Sequence, residues 1–242
     1  MATYAYKYCP WNRYTKMLIY DRVMHFSDPL TFNDRYDCQP CGAYNGVVPE
    51  NYSWDIAEDA DKRRLLLAQI DAERKKRNEE ISKYGVSCFS KSCNIPKMWA
   101  HYADRNRGVC LRFDLDLLGF HGMYKEMIYS CNRQIVDFAS PQIDENVWFF
   151  VKSIDWQEEQ EIRYLIYPPI KKGTRRIQRN FHYPNGALKE IIFGSEWTFE
   201  QWHNEFHSLV DNNIVVDMAF MEQMIDQRNY EYRKADIKYR LS

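Results

Sequence analysis

Glu159, Glu161 and Arg163 alternate through Glu159-Gln160-Glu161-Ile162-Arg163. In a strand spanning 159 to 167 that spacing puts all three on one face and Ile162, Tyr164 and Ile166 on the other. Such a face is either a solvated ion pair worth under ~1 kcal/mol or a cleft wall whose carboxylates stabilise developing positive charge. Trp156, just upstream, would lid that cleft or bury in the core. Tyr6-Lys7-Tyr8 aims its two tyrosines to one side of a strand and Lys7 to the other. Ile95, Met98, Trp99 and Tyr102 fall at i, i+3, i+4 and i+7, one apolar helix face, for which packing is the commoner role. His101 leaves that stripe, so it either idles in solvent or faces a cleft. Ser90 places a hydroxyl at the end of the preceding strand. Glu190 is a rival carboxylate, sharing a strand face with Leu188 and Ile192, where a charge needs a partner or a purpose.

Other chemistries find less footing. Cys38 and Cys41 have the spacing of half a zinc site, but Cys88 and Cys93 are five apart and supply no second pair. His203 and His207 are four apart on an expected helix, yet no glutamate directly follows the first histidine, so both read as surface or partly buried helix residues. GxxxxGK[ST], GxGxxG and GxSxG do not occur. Lys171, Lys172, Arg175, Arg176 and Arg179 make a basic loop, either solvated or gripping the phosphates of a nucleotide or nucleic-acid target. Asp34 and Asp37 would join Glu159 and Glu161 in a metal-dependent nuclease.

The elements that must carry these residues are a mixture of helices and strands. Strands are expected at 2–8, 23–27, 84–90, 109–114, 123–130, 159–167, 187–193, 213–217 and 230–241. Helices are expected at 12–22, 95–102, 142–153 and 198–210, with Asn94 as the cap of the second and Pro96 in its first turn. A charge-dense, mostly solvated helix fills 54–84. The expected class is α+β, with mixed or antiparallel central sheets and flanking helices. Residues 1–242 form one domain in this reading, with an insertion near 54–84. At 45% hydrophobic residues the chain can bury a sizeable core, and a net charge of -1 gives no global attraction to polyanions. Seven cysteines without a framework spacing, and an N-terminus without a basic and apolar leader, point to a cytoplasmic protein with free thiols. No apolar run reaches the ~18 residues of a membrane span.

Tyr6-Lys7-Tyr8, Phe26-Ser27, Phe32-Asn33-Asp34-Arg35-Tyr36-Asp37, Cys88-Phe89-Ser90, Met98-Trp99-Ala100-His101-Tyr102-Ala103-Asp104, Gly108-Val109, Lys152, Trp156, Glu159, Glu161 and Arg163 together resemble the bacterial family known as domain of unknown function 2971. Arg35 departs from the proline favoured there, which makes the loop after Asp34 less rigid. The family name supplies no activity. The order of parts also resembles the layout of ADP-ribosyltransferases. That likeness implies an NAD-consuming transferase or NAD glycohydrolase of bacterial defence or toxin biology, with NAD as substrate. Tyr6 or Tyr8 would hold the adenosine side, Ser90 the ribose, Tyr102 the nicotinamide and Glu161 the ribose hydroxyl, with Glu159, His101 and Arg163 beside them. A noncatalytic nucleotide- or partner-binding module and the metal-dependent nuclease are the alternatives. Which of Glu161 and Glu190 is the key carboxylate stays open.

Overall fold

The computed structural model describes residues 2–45, 60–140, 142–167, 177–212, 216–225 and 230–236. Its elements run β1 (Tyr4–Cys9), α1 (Arg13–Tyr20), β2 (Val23–His25), β3 (Cys41–Ala43), α2 (Ala60–Ile81), β4 (Gly85–Ser90) and α3 (Pro96–Tyr102). There follow β5 (Val109–Asp114), β6 (Gly122–Glu126), β7 (Ile128–Ser130), β8 (Ile135–Asp137), α4 (Glu145–Phe149), β9 (Val151–Ser153) and β10 (Glu161–Ile166). The last are β11 (Asn180–His182), β12 (Leu188–Phe193), α5 (Phe199–Asp211), β13 (Asp217–Ile225) and β14 (Tyr230–Asp236). This is the expected α+β class.

Eight strands form one sheet in the order β14-β13-β12-β5-β1-β4-β10-β6, antiparallel except for the parallel pair β12 and β13. Alternation sorts its two faces. Ala5, Phe89, Leu111, Phe113, Ile162, Tyr164, Ile191 and Phe193 pack with Leu18 and Ile19 of α1 and Trp202 of α5. On the other face Tyr8, Cys110 and Ile192 pack with Trp99 and Ala103, while Val86 and Leu165 pack with Ile70 and Ile81 of α2 and with Trp148 and Phe149. Directly paired residues on this second face make one polar row across the sheet: Asp217, Glu190, Arg112, Tyr6, Ser90 and Glu161.

Three local expectations change. Ile95, not Asn94, caps α3, with no side-chain bond of its own; the Tyr8 hydroxyl accepts from Ile95 N at 3.3 Å instead. The helix expected over 142–153 is the short α4, and Val151–Ser153 turns into a strand paired with β7. One carbonyl of the α4 end, Phe149 O, is taken by Arg163 Nη1 at 2.8 Å. In β12 a bulge between Leu188 and Glu190 breaks the alternation, so Leu188 joins the opposite core from Ile192. Residues 54–59, 213–215 and 237–241 of the expected elements lie outside the described ones.

Candidate functional site

Lys152, on β9, is the centre of the charged group. Its Nζ donates to Glu159 Oε2 at 2.6 Å and to Glu161 Oε2 at 3.0 Å, and lies 3.9 Å from Asp37 Oδ2. Arg163 closes the arrangement from the other side. Its Nε donates to Glu161 Oε1 at 2.8 Å, and Nη1 and Nη2 each reach Asp37 at 2.9 Å, a bidentate fork. All five side chains are buried, Arg163 completely. Three carboxylates against two cations leave one net negative charge in this network.

Burial alone would raise the Glu161 pKa, but the Arg163 and Lys152 charges outweigh it and hold it at about 2. For Lys152 burial works the other way, and the Glu161, Glu159 and Asp37 charges overcome it, keeping the ammonium protonated well above the usual lysine range. Tyr102 donates its hydroxyl to Glu159 Oε1 at 2.7 Å, and burial together with that carboxylate raises its pKa. Trp156 stacks its ring 5.0 Å from Lys152 Nζ, and Phe32 lies 5.2 Å from the Arg163 guanidinium.

The two carboxylates reach the same ammonium from different elements. Glu159 ends a 3-10 helix, Ile154–Glu159, begun by Ser153, whose side chain accepts from Asp155 N. Gln160 then adopts a left-handed conformation (φ 47°, ψ 48°) and Glu161 opens β10. The three-residue alternation expected on one strand is therefore wrong for Glu159: a turn, not strand pleating, brings it beside Glu161.

This network forms one wall of a cavity of ≈ 210 Å³ also lined by Tyr6, Lys7, Tyr8, Phe89, Met98 and Tyr102. Its place follows from the sheet. β1 and β4 share a single register pair, Tyr6 with Ser90, and consecutive residues of both strands line the space beyond it. Lys7 reaches across, donating to Ser87 Oγ at 3.0 Å and Cys88 O at 3.1 Å, with its Nζ 5.1 Å from the centre of the Phe89 ring. The partners of this ammonium are neutral, unlike those of Lys152. A smaller cavity of ≈ 70 Å³ shares Asp37 and Lys152 with the larger one.

Of the residues singled out from the sequence, Tyr6, Tyr8, Tyr102, Glu159, Glu161 and Arg163 line the larger cavity. Ser90 and His101 do not. Ser90 is fully buried and donates to Glu159 O at 2.7 Å, fixing the turn that carries the carboxylate. His101 is exposed on α3. Tyr8 spends its hydroxyl on Ser92 O at 2.9 Å and on the start of α3, so only its ring is offered to the cavity. Glu190 lies outside the cavity, 3.0 Å from Arg112 Nε. Arg179 is held by Asp28 and by the carbonyls of Ser82 and Tyr84, and so is structural; Lys171, Lys172, Arg175 and Arg176 lie outside the described residues.

Lys7, Lys152 and Asp37 are the site residues that periodicity missed. Alternation aims Lys7 away from the tyrosines, and it arrives by passing between strands. Asp37 does come near Glu161, as the nuclease reading required, but the donor set does not fit a metal. The point between Asp37, Glu159 and Glu161 is held by Lys152 Nζ, and among the described residues no three His, Cys, Asp or Glu groups converge as ligands.

Residues 98–164 match the family described as Protein of unknown function (DUF2971). The resemblance read from the sequence holds over that stretch, which begins on α3, ends on β10 and contains Tyr102, Lys152, Glu159, Glu161 and Arg163. No curated protein and no solved structure matches the chain. Among the described residues no helix is long and apolar enough to cross a membrane.

Proposed function

We propose that the cavity takes a nucleotide, and that its chemistry is cleavage of the nicotinamide–ribose bond of NAD, in an ADP-ribosyltransferase or NAD glycohydrolase. The observation that carries this reading is the cavity's polarity. One wall holds a buried network with a net negative charge and the Tyr102 ring, while Lys7, on neutral partners, adds an ammonium to the same lining. A ligand with a cationic ring and an anionic phosphate on the same molecule is complementary to that arrangement. The volume suits a ring and a sugar; pockets for whole drug-sized ligands run from about 300 Å³ upward, so the remainder of a dinucleotide would extend outside.

When the bond between C1′ and the nicotinamide nitrogen breaks, its electron pair leaves with the nitrogen and C1′ gains oxocarbenium character, as in glycoside cleavage. The excess negative charge beside Tyr102 stabilises that cation. Water, or a hydroxyl of an acceptor, then bonds to C1′ and releases its proton to solvent. Nicotinamide release from NAD by the purified protein, followed by chromatography, tests the reading. Glu161→Gln and Glu159→Gln should each lower the rate about 10²–10³-fold. Release that survives both substitutions in folded protein would sink the assignment.

A second reading is favoured by a different observation: both oxygens of Glu161 already accept from Arg163 and Lys152. Carboxylates so occupied suit a noncatalytic nucleotide-binding module. Saturable binding of NAD or ADP-ribose with no nicotinamide release would select it.

A further inference from the structure

We propose that His203 and His207, on α5, form a binding site for a transition-metal ion of the Cu(II), Ni(II) or Zn(II) class. Four residues apart, the two imidazoles share one helix face. Both are exposed, with the ring centroids 4.4 Å apart at 70° and the two Nε2 atoms 3.2 Å apart, a hydrogen bond whose shared proton an ion would replace. A metal–imidazole bond is about 2.0–2.1 Å. Two nitrogens sharing one ion therefore stand about 2.9 Å apart at a right angle and about 3.3 Å apart at a tetrahedral angle. The observed separation falls between those limits, so one ion can be bound without moving the helix backbone. The Phe199 ring, 5.8 Å from that of His203, restricts one of the two imidazoles.

The surroundings favour a cation. From 199 to 211 the helix carries Glu200, Glu205 and Asp211 and no lysine or arginine; Glu205 is paired with Lys16 of α1 at 2.7 Å, so the attraction comes from Glu200 and Asp211. His207 stands one turn before the C-terminal end, which bears the negative pole of the backbone dipole. Imidazole nitrogen selects Cu, Ni and Zn over Mg and Ca, which prefer oxygen. Among the described residues no third His, Cys, Asp or Glu joins the pair. Water or an external donor would complete the coordination, and the site is of the exchangeable kind rather than a closed structural centre.

The test is calorimetric titration of metal-stripped protein with NiCl2 and, separately, ZnCl2, with MgCl2 as the oxygen-preferring control. One ion per chain is expected for nickel and zinc and no saturable binding for magnesium. His203→Asn and His207→Asn should each weaken binding about tenfold or more, the double variant should abolish it, and His121→Asn should leave it unchanged. Circular dichroism of each variant checks that the helix persists. Equal affinity in the wild type and the double variant, or no saturable binding by the wild type, overturns the proposal.

Discussion

Arg163 and Arg112 project from the same face of the sheet, each onto a buried glutamate, and they end in opposite situations. Arg163 is completely buried; its donors meet Asp37, Glu161 and Phe149 O, and Phe32 covers its plane. Arg112 is partly open. It meets Glu190 at 3.0 Å, reaches the largely exposed Asp217 at 3.4 Å, and lies over the Tyr4 ring at 5.0 Å. The difference lies in what covers each strand. The segment around Asp37 and the β9 lysine lie over β10 and complete a closed charge network, whereas Arg112 ties β5 to β12 and β13 at the edge of the row. Burying five charges is weak evidence for stability, because desolvation can exceed the Coulombic gain. A closed network that lines a cavity is better understood as a device that fixes geometry.

The largest expected effect comes from opening the closed network. Arg163→Met leaves the buried Asp37 and Glu161 with the Lys152 ammonium alone and should cost about 3–5 kcal/mol in urea unfolding. Arg112→Met removes a partly open guanidinium from the buried Glu190 and should cost about 1–3 kcal/mol. Equal losses would erase the contrast.

Acid sharpens it next. The folded-state Glu161 pKa of about 2 lies below its ordinary value of 4.5. Its contribution is therefore fully present above pH 4.5 and is lost as the pH falls toward 2. That contribution is on the order of 3 kcal/mol. The wild type should lose its stability margin over Glu161→Gln across this window; parallel stability curves would show that the carboxylate titrates normally. The smallest effect belongs to the rim: Asp217→Ala should change stability by less than ~1 kcal/mol, measured in the same urea series.

Much of the scaffold was legible because period-two and period-3.6 patterns report burial directly. β1, β4, β5, β12 and the helices α1, α2, α3 and α5 lie within a few residues of where alternation and helical stripes put them. The family resemblance over 98–164 likewise pointed at Tyr102, Lys152, Glu159, Glu161 and Arg163. What stayed hidden came from long-range geometry. Asp37 meets Arg163 from 126 residues away, and that meeting depends on how a loop crosses the sheet. Alternation describes where Cβ points, and a long side chain such as Lys7, passing between strands with one shared register pair, escapes that rule. Glu159 reaches its place by another route than strand pleating, through one backbone conformation at Gln160.

That residue has a consequence for how the site can vary. With Gln160 in the left-handed region, its carbonyl bound by Lys91 N at 2.9 Å and that of Glu159 by the Ser90 hydroxyl at 2.7 Å, the spacing of the two carboxylates is set locally, where β10 meets the end of β4. Sequence drift farther along the neighbouring strands can therefore leave the carboxylate pair intact. A β-branched side chain at 160, or one residue inserted there, would turn Glu159 away from Lys152 while the strands on either side remained paired.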